Sequence, residues 1–350
     1  SFSLVLLRSA GSFYEESLEE LVDKGVKIIN DPFNSYPHID RISFVFLFMC
    51  RNLSSLFQGY SAVIGLKSIW WFLRLKKKVL QVNCIHAQFA TQASILAWMI
   101  KEFNKKEKLE TTYSFTFHAY DIYFNNRWFS KLVSHAEHAF SISDFNIEYV
   151  KTNYTDLDTS KLVLSRLGTP DPPPCIKPNE TKEDGWLYLG FISWFVPKKG
   201  MFYLLDAIQK LKAKEVKVKL ILAGNGPLKN KILSVIKEKG IESHIEYIGK
   251  INREEKHAFY CSLDMLVLPA ITVPNDQDGI PVVLMEAVSY GLPIITTNVS
   301  GIPEICKDDY NGKLIPEKDA NSIANAIMEI SKSPEKRGEL SEGAKKTFKA

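Results

Sequence analysis

Long apolar runs are missing from this chain. The stretch RISFVFLFMC, residues 41–50, is strongly apolar but much shorter than the ~20 residues a membrane-spanning helix needs. An excess of charge of one sign is missing too. Lysine and arginine number 44 against 40 acids, a net charge of +4, which argues against a nucleic-acid partner. Cysteines are few: Cys50, Cys84, Cys175, Cys261 and Cys306, with no C-x-x-C pair. That excludes the usual zinc-ribbon spacing, and a scattered, odd set reads as the reduced thiols of a cytoplasmic protein. No G-x-G-x-x-G follows an early strand, which excludes a plain dinucleotide-binding dehydrogenase.

What is present is ordinary globular material. The chain has 350 residues, 45% hydrophobic and 24% charged, enough for about two domains. Strand and helix patterns alternate through both halves. This predicts an α/β protein of two doubly wound, Rossmann-like domains facing a central cleft. The exposed, proline-rich segment PDPPPCIKPNETKED, residues 170–184, reads as a linker. It separates an N-terminal domain, 1–169, from a C-terminal domain, 185–350.

The most informative stretch is 276–304, DQDGIPVVLMEAVSYGLPIITTNVSGIPE. A strand-like LDMLVLP precedes it. A helix is predicted from Ile280 to Tyr290, with Pro281 early and Gly291 just past its end. Ligands of parallel sheets sit at the carboxyl ends of strands, and polar residues gather there. Asp278 falls just before the helix and Glu286 within it. Eight helical residues rise about 12 Å, too long a span for two acids that share one reacting bond. Between them the helix N-terminus offers free N–H groups and a partial positive charge. A nucleotide-sugar fits this order: hydroxyls, diphosphate, ribose diol.

Asp278, Glu286, Ala287, Gly291, Pro293, Gly301, Pro303 and Glu304 resemble the donor-site motif of retaining glycosyltransferases with the GT-B fold. The likeness is to family 4, group 1 enzymes of the colanic-acid and exopolysaccharide type. The first acid is normally Glu, so Asp278 is one methylene short. Pro281 has no N–H, which leaves the amides of Val282 and Val283 for phosphate. Further along the chain, Lys199-Gly200 matches the K-G before a helix. The strand before it is expected to end at Gly190, where the family has G-R; Phe191 stands in place of the Arg. Lys198 is a substitute cation. The loop Gly249 to Ile251 is where the resemblance seats the base, and Gly279 completes the donor-binding set. Gly224-Asn225-Gly226-Pro227 matches a family turn whose plain role is backbone geometry.

In the first domain, FHAYD places His118 and Asp121 after a strand. This resembles the family's H-G-x-D, with Ala119 for Gly, and implies that His118 contacts the donor sugar. His86 and Gln88 close the preceding strand, with Gln88 where the family often has a second His. A buried, hydrogen-bonded His86 is the plain reading. His135 and His138 lie three apart on an expected helix without a third metal ligand in sight. Residues 66–80 combine Trp70, Trp71 and Phe72 with Arg74, Lys76, Lys77 and Lys78. Two readings stand: peripheral contact with an anionic membrane, at the inner face, or a helix packing its aromatics on the sheet with solvated lysines.

The resemblance implies transfer of a sugar from a UDP- or GDP-sugar to a hydroxyl. The acceptor is a glycan or lipid-linked glycan, and anomeric configuration is retained. Asp278 and His118 hold the sugar, Glu286 the ribose diol, and Lys199, Val282 and Val283 the leaving diphosphate. No cofactor or metal is expected; the donor is a substrate. Two alternatives stand beside it: a degenerate nucleotide-sugar-binding subunit, and an epimerase or hydrolase of the same fold. The resemblance also implies an opening strand with a Gly-rich loop and a closing helix beyond the ends given, so both ends read as truncated.

Overall fold

The structure, a computed structural model, describes residues 84–88, 90, 112–123, 129–175 and 185–349. The aromatic and basic segment 66–80 lies outside the described residues. Two compact units separate: the described residues up to Ile142 with Ile147–Ser165, and Ser143–Asn146 with Arg166 onward.

The first unit holds β1 (Cys84–Gln88), β2 (Thr112–Phe117), β3 (Ala139–Ser141) and β4 (Leu162–Leu164) in one parallel sheet, in that order. Around it lie α1 (Ala119–Tyr123), α2 (Phe129–His135) and α3 (Asp144–Asn153). The sequence TYSFTF makes β2 because aromatic and β-branched residues fill both faces of an inner parallel strand. Every β2 residue after Thr112 is buried. Phe115 and Phe117 meet Phe129 of α2 edge-on, at 6.1 and 5.1 Å between ring centroids, a favourable aromatic geometry.

The second unit is built on six parallel strands: β5 (Leu187–Trp194), β6 (Val218–Asn225), β7 (Ile245–Gly249), β8 (Met265–Leu268), β9 (Ile294–Thr297) and β10 (Gly312–Ile315). Their order is β10-β9-β8-β5-β6-β7. The chain winds outward from β5 to β7, then returns to β8 and winds the other way. The reversal lies between β5 and β8, so the crevice outside their carboxyl ends is the place for a ligand. The connecting helices are α4 (Met201–Ala213), α5 (Lys229–Glu238), α6 (Arg253–Ser262), α7 (Val282–Ser289), α8 (Ile302–Ile305) and α9 (Ala320–Lys332), followed by α10 (Pro334–Lys349). One core of buried Leu, Ile, Val and Phe runs through this unit. It is apolar along whole strands, as expected when helices cover both sheet faces.

Two local signals position the site. Asn252 caps α6 by accepting from Glu255 N–H at 2.9 Å, while Glu255 accepts from Asn252 N–H at 2.7 Å. This reciprocal box fixes where α6 starts. Gly200, at φ +65, opens α4; a Cβ there would stand 1.8 Å from the Pro269 carbonyl oxygen. Only glycine lets the loop after β5 lie against the end of β8. A backbone bond from Ile271 N–H to Lys198 O, 2.8 Å, ties the two loops together.

The cysteines correct one expectation. Cys175 and Cys261 form a disulfide, while Cys306 is free and buried. Reduced thiols do not hold for that pair. The partners are 86 residues apart, and only the fold brings such residues within bonding reach. Among the described residues, no helix is long and apolar enough to cross a membrane.

Candidate functional site

The site is assembled from the loops at the carboxyl ends of β5 and β8. After β5, a short 3-10 turn, Pro197–Lys199, presents two lysines. After β8, the loop to α7 presents Asp276 and Asp278. Lys199 Nζ donates to Asp278 Oδ2 at 2.6 Å. Lys198 Nζ donates to Asp276 Oδ1 at 2.7 Å and lies 3.6 Å from Asp278 Oδ1. The lysine side chains are only 18% and 15% exposed, so this is a paired charge cluster and not a solvated turn. The two lysines thus pair with both Asp276 and Asp278. Among the described residues no group of three or more His, Cys, Asp or Glu is placed to hold a metal ion.

Helix α7 starts at Val282, with Pro281 as its extended N-cap (φ -64, ψ 127). The first residues of a helix have no intrahelical acceptor for their N–H groups. Val282 and Val283 hold those positions, and the Val282 side chain is 48% exposed. One turn on, Glu286 is held from α6. Lys256 Nζ donates to Glu286 Oε1 at 2.6 Å, and the Tyr260 hydroxyl donates to Oε2 at 2.7 Å. Burial, then the nearby Glu286 charge, pushes the Tyr260 phenol well above its ordinary value, so it stays a proton donor. Gly279 precedes α7 in the loop. Ile251, in the loop after β7, is buried.

In the first unit, His118 follows β2 directly. Its backbone N–H donates to Asp121 Oδ2 at 2.9 Å, so Asp121 sits in α1 and fixes the turn after β2. The His118 ring Nε2 donates to Gln88 Oε1 at 3.3 Å. Burial lowers the His118 pKa to about 4, so the imidazole is neutral near pH 7 and serves as a hydrogen-bonding group without a full charge.

Known proteins resemble this chain. Residues 176–347 match the family described as glycosyl transferases group 1. The second unit thus resembles a glycosyl transferases group 1 domain. The putative colanic acid biosynthesis glycosyltransferase WcaL of Salmonella typhimurium is 36% identical over 136 residues, covering 39% of this chain and 34% of that protein. The amylovoran biosynthesis glycosyltransferase AmsK of Erwinia amylovora is 32% identical over 135 residues, 38% and 33%. The chain thus spans about a third of the length of these curated relatives. Among solved structures, sucrose-phosphate synthase from Thermosynechococcus elongatus aligns with a TM-score of 0.74 at 15% identity, covering 100% of this chain and 94% of that one. Anabaena Alr3699/HepE, crystallised with UDP and glucose, aligns at 0.72 and 13% identity, covering 99% and 95%. At such identities the likeness shows the fold, which is GT-B.

Within the second unit, one expected position is corrected. The strand does not end at Gly190; β5 runs on to Trp194. Gly190 pairs with Leu266 of β8 in mid-sheet, and a Cβ there would stand 2.1 Å from Leu263 Cδ1. Its smallness serves packing. The apolar FI after Gly190 continues the strand, which the G-R expectation hid. The residue at the strand's end is Trp194, 61% exposed.

Other residues were missed. Lys256 and Tyr260 lie four apart on α6, a spacing that puts them on one helix face, yet nothing in the sequence pairs that face with Glu286. Asp276 was legible as an acid beside Asp278, but its Lys198 partner was not. Glu304 does other work: it accepts N–H bonds from Asp144, 3.0 Å, and Phe145, 2.8 Å, and pairs with Arg166. It caps the segment that packs with this domain. In the first unit, His86 is satisfied by Ser114 Oγ at 2.8 Å and Thr116 Oγ1 at 3.0 Å, as its plain reading expects. His135 ends α2, and its ring bonds the Lys131 carbonyl at 2.8 Å. His138 lies beyond the helix against Phe140, at 5.9 Å, so the two do not share a helix face.

Proposed function

We propose that the protein is a glycosyltransferase that moves a sugar from a UDP- or GDP-sugar to a hydroxyl of a glycan or lipid-linked acceptor. The reaction retains the anomeric configuration and needs no metal ion. The bond from the anomeric carbon to the diphosphate breaks and a bond to the acceptor oxygen forms. The acceptor's proton passes to the departing diphosphate.

One observation carries this reading: two acids, each held by its own donors, flank the open N-terminus of α7 at the point where the strand order reverses. Asp278 sits with Lys198 and Lys199 at one end, Glu286 with Lys256 and Tyr260 at the other. The N–H groups of Val282 and Val283 lie between. Donor-sugar hydroxyls go to Asp278 and the ribose diol to Glu286. Lys199 and the two amides stabilise the charge that grows on the diphosphate. The base lies along the loop holding Ile251. The names of the relatives, glycosyltransferases of colanic acid and amylovoran biosynthesis, support a polysaccharide product.

One observation favours a second reading, a nucleotide-sugar-binding subunit without turnover. Trp194 and not a cation ends β5, so the diphosphate has fewer positive partners here.

The test is thermal stability with UDP, GDP, ADP and NAD in EDTA, followed by product analysis. A ligand at 100 times its Kd adds about 2.7 kcal/mol, a few degrees in a domain of this size. UDP or GDP raises Tm, and Glu286→Ala abolishes the rise. With the matching sugar donor, NMR finds a new glycoside of unchanged anomeric configuration. Nucleotide binding without any glycoside supports the binding-subunit reading. Absence of any diphosphate effect sinks both.

A further inference from the structure

We propose that Lys256 and Tyr260 are positioning residues that turn the Glu286 carboxylate into a ribose-selective receptor, so that together they set the preference for ribonucleotides over 2′-deoxynucleotides. The inference rests on the reading that Glu286 meets the ribose diol, and goes beyond it in saying what makes that acid selective.

The geometry is specific. A carboxylate has two oxygens and about four lone-pair sites. Lys256 Nζ takes one site on Oε1 at 2.6 Å, and the Tyr260 hydroxyl takes one on Oε2 at 2.7 Å. One site on each oxygen is left. A vicinal diol donates two hydrogen bonds from adjacent carbons, which matches one remaining site per oxygen. A 2′-deoxyribose fills only one of them.

The holder is rigid. Tyr260 is 1% exposed, and its hydroxyl also lies 3.5 Å from the Val283 carbonyl oxygen. Its ring stacks on Tyr290, centroids 4.9 Å apart at 24°, and the Tyr290 hydroxyl in turn meets His257 Nδ1 at 3.0 Å. Lys256 and Tyr260 descend from the same face of α6, whose start is fixed by its Asn252 capping box. A carboxylate without these two donors would rotate about its last torsion and lose the paired geometry, because terminal carboxylate torsions are broad.

A merely structural role for the two residues predicts something different. Loosening α6 from α7 would weaken all nucleotides alike. The discriminating quantity is therefore a ratio. The full chain is titrated by calorimetry with UDP and GDP and with their 2′-deoxy counterparts, as wild type, Tyr260→Phe and Lys256→Met. Wild type binds the ribonucleotide about tenfold or more tightly over its 2′-deoxy form, the worth of one hydrogen bond to a charged group. In at least one variant that ratio falls toward unity through weaker ribonucleotide binding, with 2′-deoxynucleotide binding unchanged. If both variants keep the wild-type ratio while binding both nucleotides more weakly, the positioning role is overturned and the Glu286 reading survives. If wild type itself shows no ratio, the ribose reading of Glu286 falls and this inference with it.

Discussion

Lys199 Nζ rests 2.6 Å from Asp278 Oδ2. The cation assigned to the diphosphate is thus already held by the acid assigned to the sugar. With three N–H donors, Lys199 can meet a phosphate while Asp278 competes for its charge. Asp278→Asn removes the competing charge and keeps the shape. Nucleoside diphosphate then binds several-fold more tightly, while sugar transfer falls about a hundredfold or more, the scale of losing one well-placed stabilising group. Calorimetry and turnover on the same preparation check the two halves. A parallel fall in binding and transfer would show that Asp278 does not act as a placeholder for phosphate.

A pH dependence follows from His118. Burial holds its pKa near 4, against about 6.5 in an unfolded chain. Above 6.5 neither state binds the proton and the full stabilisation is present. As pH falls from 6.5 toward 4 the unfolded chain takes up the proton first, so stability is lost across that window. Between pH 7 and 5 the loss is about 2 kcal/mol. His86, also lowered by burial, acts in the same direction. His118→Gln removes the His118 share, so its urea-unfolding free energy changes less between pH 7 and 5 than that of wild type. Equal slopes in the two proteins would refute the assignment.

The elements around the site were readable because local signals agree. Pro281 and Gly291 bracket α7, and the apolar LDMLVLP and PIITT yield β8 and β9, trimmed by one or two residues at the ends. Asp278 and Glu286 were readable as acids on either side of a helix start. What pairs with them was not. Lys198 and Lys199 are 78 and 79 positions from Asp276 and Asp278, and Lys256 is 30 from Glu286. Such pairs depend on the strand order that brings β5 beside β8, and composition carries no trace of that. Gly190 failed for another reason: a glycine inside an apolar run marks either a strand's end or close packing, and here Leu263 needs the space.

The disulfide makes a separate prediction. Cys261 sits on α6 next to Tyr260, and its partner Cys175 lies 86 residues earlier. Closing a loop of that length constrains the unfolded chain, and losing such a bridge costs about 2–5 kcal/mol. Cys175→Ser with Cys261→Ser, or reduction by dithiothreitol, lowers Tm by several degrees. A reductant has no further effect on the double variant. An unchanged melting point in wild type under full reduction would mean that the bridge adds nothing to stability.

The sharpest test of the diphosphate seat is at the first residue of α7. Proline is tolerated there because the position's N–H has no intrahelical partner. The residue before a proline must be extended, and Pro281 already is, at ψ 127. The Val282 side chain is 48% exposed, so little packing is lost. Val282→Pro therefore deletes one N–H from the proposed phosphate site and leaves the helix in place. Tm stays within about 1 °C of wild type, since an exposed substitution at a permissive position changes stability little. Affinity for the nucleoside diphosphate falls about tenfold or more, as expected for losing one hydrogen bond to a charged group. The bare nucleoside, which has no phosphate to lose, binds the variant and wild type equally. A variant that keeps its fold and its diphosphate affinity would move the phosphate away from α7 and leave Lys199 as its main anchor.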